Sequence, residues 1–307
     1  MKNLWKLRLN QTATVLNKHI HFIIGFVLIT HVPCASLTGA TPFPVRGFSK
    51  ILSSQEAEEK LSEYRSFISG SSVDSSFHNA YSFKFKLRHM PRRGPETSKY
   101  GEISGPLLGS GVFRLQIFDS GQSGQRTILL LSNPENPRIS RLISGIEGVS
   151  SLQKNFLFEE VCKGMNLTFF DLLMPFVFWP EEYVKSGKVS GRPAHLYQFT
   201  TPDWVKNTRP KWERIIMALD DVYSIPLRVE VFSNEKRLRT ISLRSFKKTG
   251  TDWIVKSSDC RNEEDRSTTR LEILSAATGL DLASDFFTET GFIQSFNLPI
   301  ESYQNFE

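Results

Sequence analysis

Residues 81–88 alternate without a break: Tyr81, Phe83, Phe85 and Leu87 interleave with Ser82, Lys84, Lys86 and Arg88. Successive side chains of a β-strand point to opposite faces, so this run forms a strand with one dry face and one wet face. The same pattern recurs at 112–118, where Phe113, Leu115 and Ile117 share a face, and at 227–232, where Leu227, Val229 and Val231 do. Shorter versions occupy 127–131, 195–199, 214–219, 238–246, 253–256 and 270–274. Ser120-Gly121, Ser233-Asn234 and Thr249-Gly250 supply turn chemistry between several of them. Short strands joined by hairpin-length links predict an α+β fold that is mainly antiparallel β, with a sheet that curls.

Two segments depart from the period of two. In 54–68, Ala57, Leu61, Tyr64 and Ile68 recur at helical spacing, with Ser53 or Ser54 able to cap and Gln55 and Glu56 in the first turn. This predicts an amphipathic helix. In 168–179, nine residues besides Pro175 are apolar, so a helix there would be apolar nearly all round. Thr168 is its expected cap and Pro175 its expected end. Two readings stand open for it: plain core, or a plug over an apolar cavity at the mouth of the sheet.

The amino terminus reads as an address. Lys2, Lys6, Arg8 and Lys18 stand in a segment without acids, ahead of the largely apolar run IHFIIGFVLITHV at 20–32 and the small residues Ala35, Ser36, Gly39 and Ala40. The run is shorter than the roughly 20 apolar residues that a spanning helix needs, and matches a secretory signal. Residues 1–40 are therefore expected to be a signal peptide, 41–53 a linker, 54–283 the folded domain and 284–307 a tail. Cys34 follows His31, Val32 and Pro33, which is not a lipid-attachment pattern. Cys162 and Cys260 remain, either as one disulfide or as two buried thiols.

Charge excludes one class of partner. The formal net charge is +6, but the first 40 residues hold four of those positive charges, and no long basic run follows. Nucleic-acid binding is not expected. Chemistry is equally sparse. His78, His89 and His195 stand apart from any metal-ligand spacing, so no metal or cofactor is expected. Gly109-Ser110-Gly111 leads into a strand where a dinucleotide loop leads into a helix, and Gly121-Gln122-Ser123-Gly124 lacks the spacing of a nucleophile elbow. The adjacent acids Glu181-Glu182, Asp220-Asp221 and Glu263-Glu264-Asp265 point apart on a strand or spread in a loop. Asn166-Leu167-Thr168 matches a glycosylation pattern in an apolar setting.

The second half carries a series of motifs in order: Phe170-Asp171-Leu172-Leu173, Phe178-Trp179-Pro180, Gly191-Arg192-Pro193-Ala194-His195-Leu196-Tyr197, Ile225-Pro226-Leu227-Arg228-Val229-Glu230, LRTISLRSFKK at 238–248, Trp253-Ile254-Val255-Lys256 and Thr269-Arg270-Leu271-Glu272-Ile273. Over 156–274 this order resembles the bacterial outer-membrane lipoprotein-sorting family, in an uncharacterised LolA/LolB-like branch. The segment ERIIMALDD at 213–221 and the tail from Ser284 depart from the relatives. The resemblance implies an incomplete curled β-barrel covered by helices around an apolar cavity that takes acyl chains. It implies a non-enzymatic, monomeric, exported carrier, periplasmic or associated with the outer membrane, served by membrane-associated donor and acceptor proteins. An exported scaffold with the same fold and no lipid cargo is the alternative, and a hydrolase the third reading. Candidate cavity residues are Phe83, Phe85, Phe113, Leu115, Ile117, Phe169, Phe170, Leu173, Phe176, Leu227, Val229 and Val231, each of which would also serve as ordinary core. Arg192 and Arg228 are candidates for the rim, to hold a headgroup or lock sheet to lid.

Overall fold

The structure, a computed structural model, describes residues 50–69, 80–118, 126–143, 148–250, 252–294 and 298–306, and two short strands near the amino terminus. Those two, Ile20–Ile23 and Val27–Thr30, pair antiparallel in a sheet of their own. The rest of the expected signal peptide, most of the linker, His78 and the turn at 120–124 lie outside the described residues. Among the described residues no helix is long and apolar enough to cross a membrane.

Fourteen strands form the main sheet. They are β1 (Ala80–Met90), β2 (Thr97–Gly105), β3 (Phe113–Phe118), β4 (Arg126–Ser132), β5 (Arg138–Ile143), β6 (Ser150–Leu152) and β7 (Glu181–Val189). The series continues with β8 (Arg192–Thr200), β9 (Arg214–Asp220), β10 (Pro226–Ser233), β11 (Lys236–Thr249), β12 (Asp252–Asn262), β13 (Thr268–Leu280) and β14 (Gln304–Asn305). Their order is β6-β5-β4-β3-β2-β1-β13-β12-β11-β10-β9-β8-β7, with β14 on β13. Every pairing is antiparallel, and the sheet does not close, so β6 and β7 are its edges. This is the mainly antiparallel, open half-barrel expected from the alternation and from the resemblance.

The wet/dry alternation sets the faces. Phe83, Phe85 and Leu87 of β1 point to the concave side and are buried, as are Phe113 and Leu115 of β3 and Leu227, Val229 and Val231 of β10. Three helices cover that side. Helix α1 (Ser54–Ile68) buries Ala57, Leu61, Tyr64 and Ile68 against it. Its capping box is complete: Glu56 N–H donates to Ser53 Oγ at 3.3 Å, and Ser53 N–H donates to Glu56 Oε2 at 2.8 Å. Helix α2 (Phe169–Leu173) begins at Thr168 as expected, ends in the left-handed Met174, and passes into a 3-10 turn at Pro175–Phe178. Helix α3 (Asp203–Thr208) links β8 to β9.

Strands β2, β5, β6, β7 and β14 and helix α3 are absent from the sequence expectation. The carboxyl-terminal residues expected as a tail do not trail from the domain. They fold back, with β14 on β13 and residues 285–294 across the outer face of the sheet.

Candidate functional site

Between the concave face and the helices lies one continuous core. Eleven of the twelve candidate cavity residues are buried in it, and Ile117 is half-buried against it. They come together in that core. A small apolar void in this core measures about 10 Å³ and is lined by Phe85, Leu87, Ile103, Leu115, Val161, Leu167, Leu172 and Leu271. A void of that size holds one water at most.

Aromatic rings pack around α2 and the 3-10 turn that follows it. Phe170 stacks on Phe158 at 5.3 Å, meets Trp212 edge-on at 5.2 Å and lies 5.7 Å from Trp179. Phe176 meets Phe199 of β8 edge-on at 5.4 Å. Arg65 of α1 ties that helix to the turn after α2, donating from Nε to the Val177 carbonyl at 2.6 Å and from Nη2 to that of Trp179 at 3.2 Å, while pairing with Glu181 of β7 at 2.7 Å.

Inside this apolar assembly sits one ion pair. Thr168 N–H and Oγ1 both donate to Asp171 Oδ2 at 2.7 Å, which closes the capping box of α2. Arg239 of β11 donates from Nε to Asp171 Oδ1 at 3.1 Å, and from Nη2 to Asp171 Oδ2 and the Asn166 carbonyl. Burial opposes the Arg239 charge, and Asp171 beside it more than offsets that, holding the guanidinium pKa above its ordinary value. The pair locks α2 to the sheet.

Next to this lock a cleft of about 420 Å³ opens to solvent. Phe158, Trp212 and Leu238 give it an apolar floor that continues into Phe170 of α2, and Arg209, Lys211, Arg239, Glu160 and Glu264 stand around it with Asn166, Thr168 and Asn262. Arg209 donates from Nη2 to the Phe158 carbonyl at 2.8 Å, with its guanidinium 5.5 Å from the Phe158 ring. Lys211 and Glu264, both well exposed, pair at 3.2 Å. The cleft can therefore hold an amphipathic molecule, apolar end on the rings and polar end among the charges.

Neither candidate rim arginine lines this cleft. Arg192 Nε donates to Asp220 Oδ2 at 2.6 Å, and Asp220 Oδ1 accepts from the N–H groups of Val222 and Tyr223, so Arg192 braces the turn between β9 and β10. Arg228 pairs with Glu230 on its own strand at 3.3 Å. A second buried polar group joins residues that the sequence left apart: His195, fully buried, faces Asp221 Oδ1 at 2.6 Å through Nε2 and the Tyr183 hydroxyl at 3.2 Å through Nδ1. Lys60 of α1 donates to the Asp221 carbonyl at 2.7 Å, so this cluster docks the helix on the β7 side of the sheet. Burial lowers the Lys60 pKa, against the pull of Asp221, Glu63 and Asp220.

Cys162 and Cys260 are buried and form no disulfide. Of the two alternatives this is the second. Burial pushes the Cys260 thiol up, and its Sγ lies 3.5 Å from the Asn166 carbonyl. Asn166 itself is buried and donates from Nδ2 to Ser267 Oγ at 2.9 Å, which leaves no room for a glycan.

No family model and no curated protein sequence matches the chain. Solved structures do. A putative outer membrane lipoprotein-sorting protein domain from Vibrio parahaemolyticus aligns over 76% of this chain and 96% of its own, with TM-score 0.59 and 13% identity. A DUF1329 family protein from Desulfovibrio piger aligns over 77% and 97%, with TM-score 0.59 and 11% identity. A LolA superfamily protein from Nitrosomonas europaea aligns over 78% and 99%, with TM-score 0.53 and 11% identity. The open antiparallel sheet, with helices against its concave face, is thus the fold of the LolA-like lipoprotein-sorting domains.

Proposed function

We propose that this protein is an exported, non-enzymatic carrier that takes the acyl chains of lipoproteins or lipids between its concave sheet face and helix α2. The observation that carries this reading is the cleft beside α2: an aromatic floor, formed by Phe158 and Trp212, is continuous with the plug residue Phe170 and ringed by charge. An acyl chain entering there replaces ring-to-ring contacts with methylene-to-ring contacts, each buried methylene contributing about 0.8 kcal/mol. Its headgroup stays among Arg209, Lys211 and Glu264 at the surface. Loading requires α2 to shift, and so requires the Arg239–Asp171 lock to open. Handover between membrane-associated donor and acceptor proteins, without covalent chemistry, completes the cycle.

One observation favours a second reading, an exported scaffold with the same fold and no cargo. Eleven of the twelve candidate cavity residues are buried in one core, and the void lined by Phe85 and Leu115 is only about 10 Å³. Native mass spectrometry with lipid extraction on the full chain separates the two. Acyl species bound at defined stoichiometry support the carrier; a mass free of lipid, unchanged after incubation with lipid vesicles or an acylated peptide, supports the scaffold.

A further inference from the structure

The outer face of the sheet carries a row of residues that a wet face does not need. Ser82, Ser104, Arg114, Leu130 and Ser140 stand directly opposite one another across β1 to β5, and all five are buried. Four of the five side chains are small or uncharged-aliphatic and one is a cation, so the row forms a shallow trough with Arg114 at its centre. The chain's own carboxyl-terminal residues lie over it, Tyr303 donating to Ser82 Oγ at 3.0 Å and segment 285–294 meeting Arg114 and Ser140. Ser140 Oγ donates to Glu289 Oε1 at 3.2 Å, and Arg114 Nη2 donates to the Gln294 carbonyl at 2.8 Å. Phe286 lays its ring 4.3 Å from the Arg114 guanidinium. The segment is folded on itself: Thr288 Oγ1 donates to the Asp285 carbonyl at 2.6 Å and accepts from Gly291 N–H at 3.2 Å, and a Cβ at Gly291 would fall 1.9 Å from the Asp285 carbonyl oxygen. Its buried rings, Phe286, Phe287 and Phe292, are not part of the main core.

The fit of this segment to the trough is incomplete at one place. Arg114 is only 3% exposed, yet its Nε and Nη1 have no hydrogen-bond partner among the described residues. Nε and Nη1 lie on different edges of the guanidinium, so each can donate one charge-assisted hydrogen bond to a carboxylate oxygen, which an aromatic ring face cannot accept. The segment already lays one carboxylate, that of Glu289, on the same face. Lys84 and Lys86 of β1 add positive charge on that face, against Glu102 of β2, which is engaged by Ser82 and Tyr303.

We propose that this trough is a binding site for an acidic polypeptide segment, with a carboxylate seated on Arg114, and that residues 285–294 are a displaceable strap occupying it. Displacement leaves the main core intact, because the strap's rings belong to a separate cluster. It also gives the two unpartnered nitrogens of Arg114 an acceptor that the ring cannot supply.

Hydrogen exchange on the full chain tests this. Phe286→Glu places a carboxylate where the ring sits; exchange across 285–294 is expected to slow about tenfold, the worth of a charge-assisted hydrogen bond at a buried donor. The slowing should vanish when Arg114→Met is added. A strap that only covers apolar surface would instead loosen on losing the ring, with or without Arg114. As a second readout, a synthetic peptide of residues 284–294 bearing Glu in place of Phe286 is titrated into the unmodified chain. The expected result is saturable binding, with 285–294 becoming fast-exchanging and Arg114→Met abolishing both. Faster exchange in Phe286→Glu, or absence of peptide binding, overturns the proposal.

Discussion

At the residue scale the Arg239–Asp171 pair decides how firmly the plug is held. Removing one member of a buried pair leaves the other charged and unpaired in apolar surroundings, which costs about 3–5 kcal/mol. Arg239→Met should therefore lower unfolding stability by about that much in urea titrations. The double variant Arg239→Met with Asp171→Leu should recover a large part, less the lost cap of about 1 kcal/mol. A fully additive pair would show that the two side chains do not act together. Both were readable in part. Asp171 was the one acid in an otherwise apolar helix, and such an acid demands a partner. Arg239 lies opposite Val231 in register and in phase with Ile241 and Leu243, so the period of two already placed it on the dry face. The strand's many cations, in LRTISLRSFKK, disguised the one that points inward. Arg192 is the opposite case, because its partner Asp220 lies 28 residues further along and is brought near only by the pairing of β8 with β9, which leaves no pattern in sequence.

At the element scale α1 was legible to its ends, since stripe and cap agree over Ser54–Ile68. Its capping chemistry makes two predictions. Ser53→Ala should cost about 1 kcal/mol of stability, read by thermal unfolding. The Glu56 carboxyl is held down to about 2 by the Lys50 ammonium and by hydrogen bonds from Ser53. A carboxyl depressed in the folded state contributes stability that is present above its ordinary pKa of 4.5 and lost as pH falls toward about 2. Exchange at the first turn of α1 should accordingly quicken across that window, and Glu56→Gln should flatten the dependence. Strand β2 shows why other elements were hidden. Its concave positions include Gly101 and Gly105, which face Phe85 and Tyr81, and a Cβ on either would fall 2.4 Å from the opposing ring. There the apolar signal sits on the partner strand, so β2 itself looks polar and broken. Edge strand β7, EEYVKSGKV, is largely exposed and has no dry face to announce. Its Glu and Lys residues suit an edge that must not recruit another chain.

At the scale of the whole molecule, the pairing of β1 with β13 joins residues 80–90 to 268–280, so both halves of the sheet hang on a contact between distant parts of the chain. The resulting half-barrel was foreseeable from alternation and motif order. The state of its interior was not, because an apolar inner face reads alike whether it lines a cavity or fills one. Phe170 is where that difference becomes measurable, since it touches Phe158, Trp212, Trp179 and Phe176 together. Phe170→Ala removes the centre of the plug and should cost about 3–5 kcal/mol, seen as an earlier urea midpoint at unchanged slope. The void it leaves joins the floor of the cleft. If the interior accepts acyl chains, the variant should retain more lipid than the unmodified chain in native mass spectra, and added lipid should restore much of the lost stability through preferential binding to the folded state. If the interior is solid core, the same variant unfolds earlier, carries no lipid, and gains nothing when lipid is added.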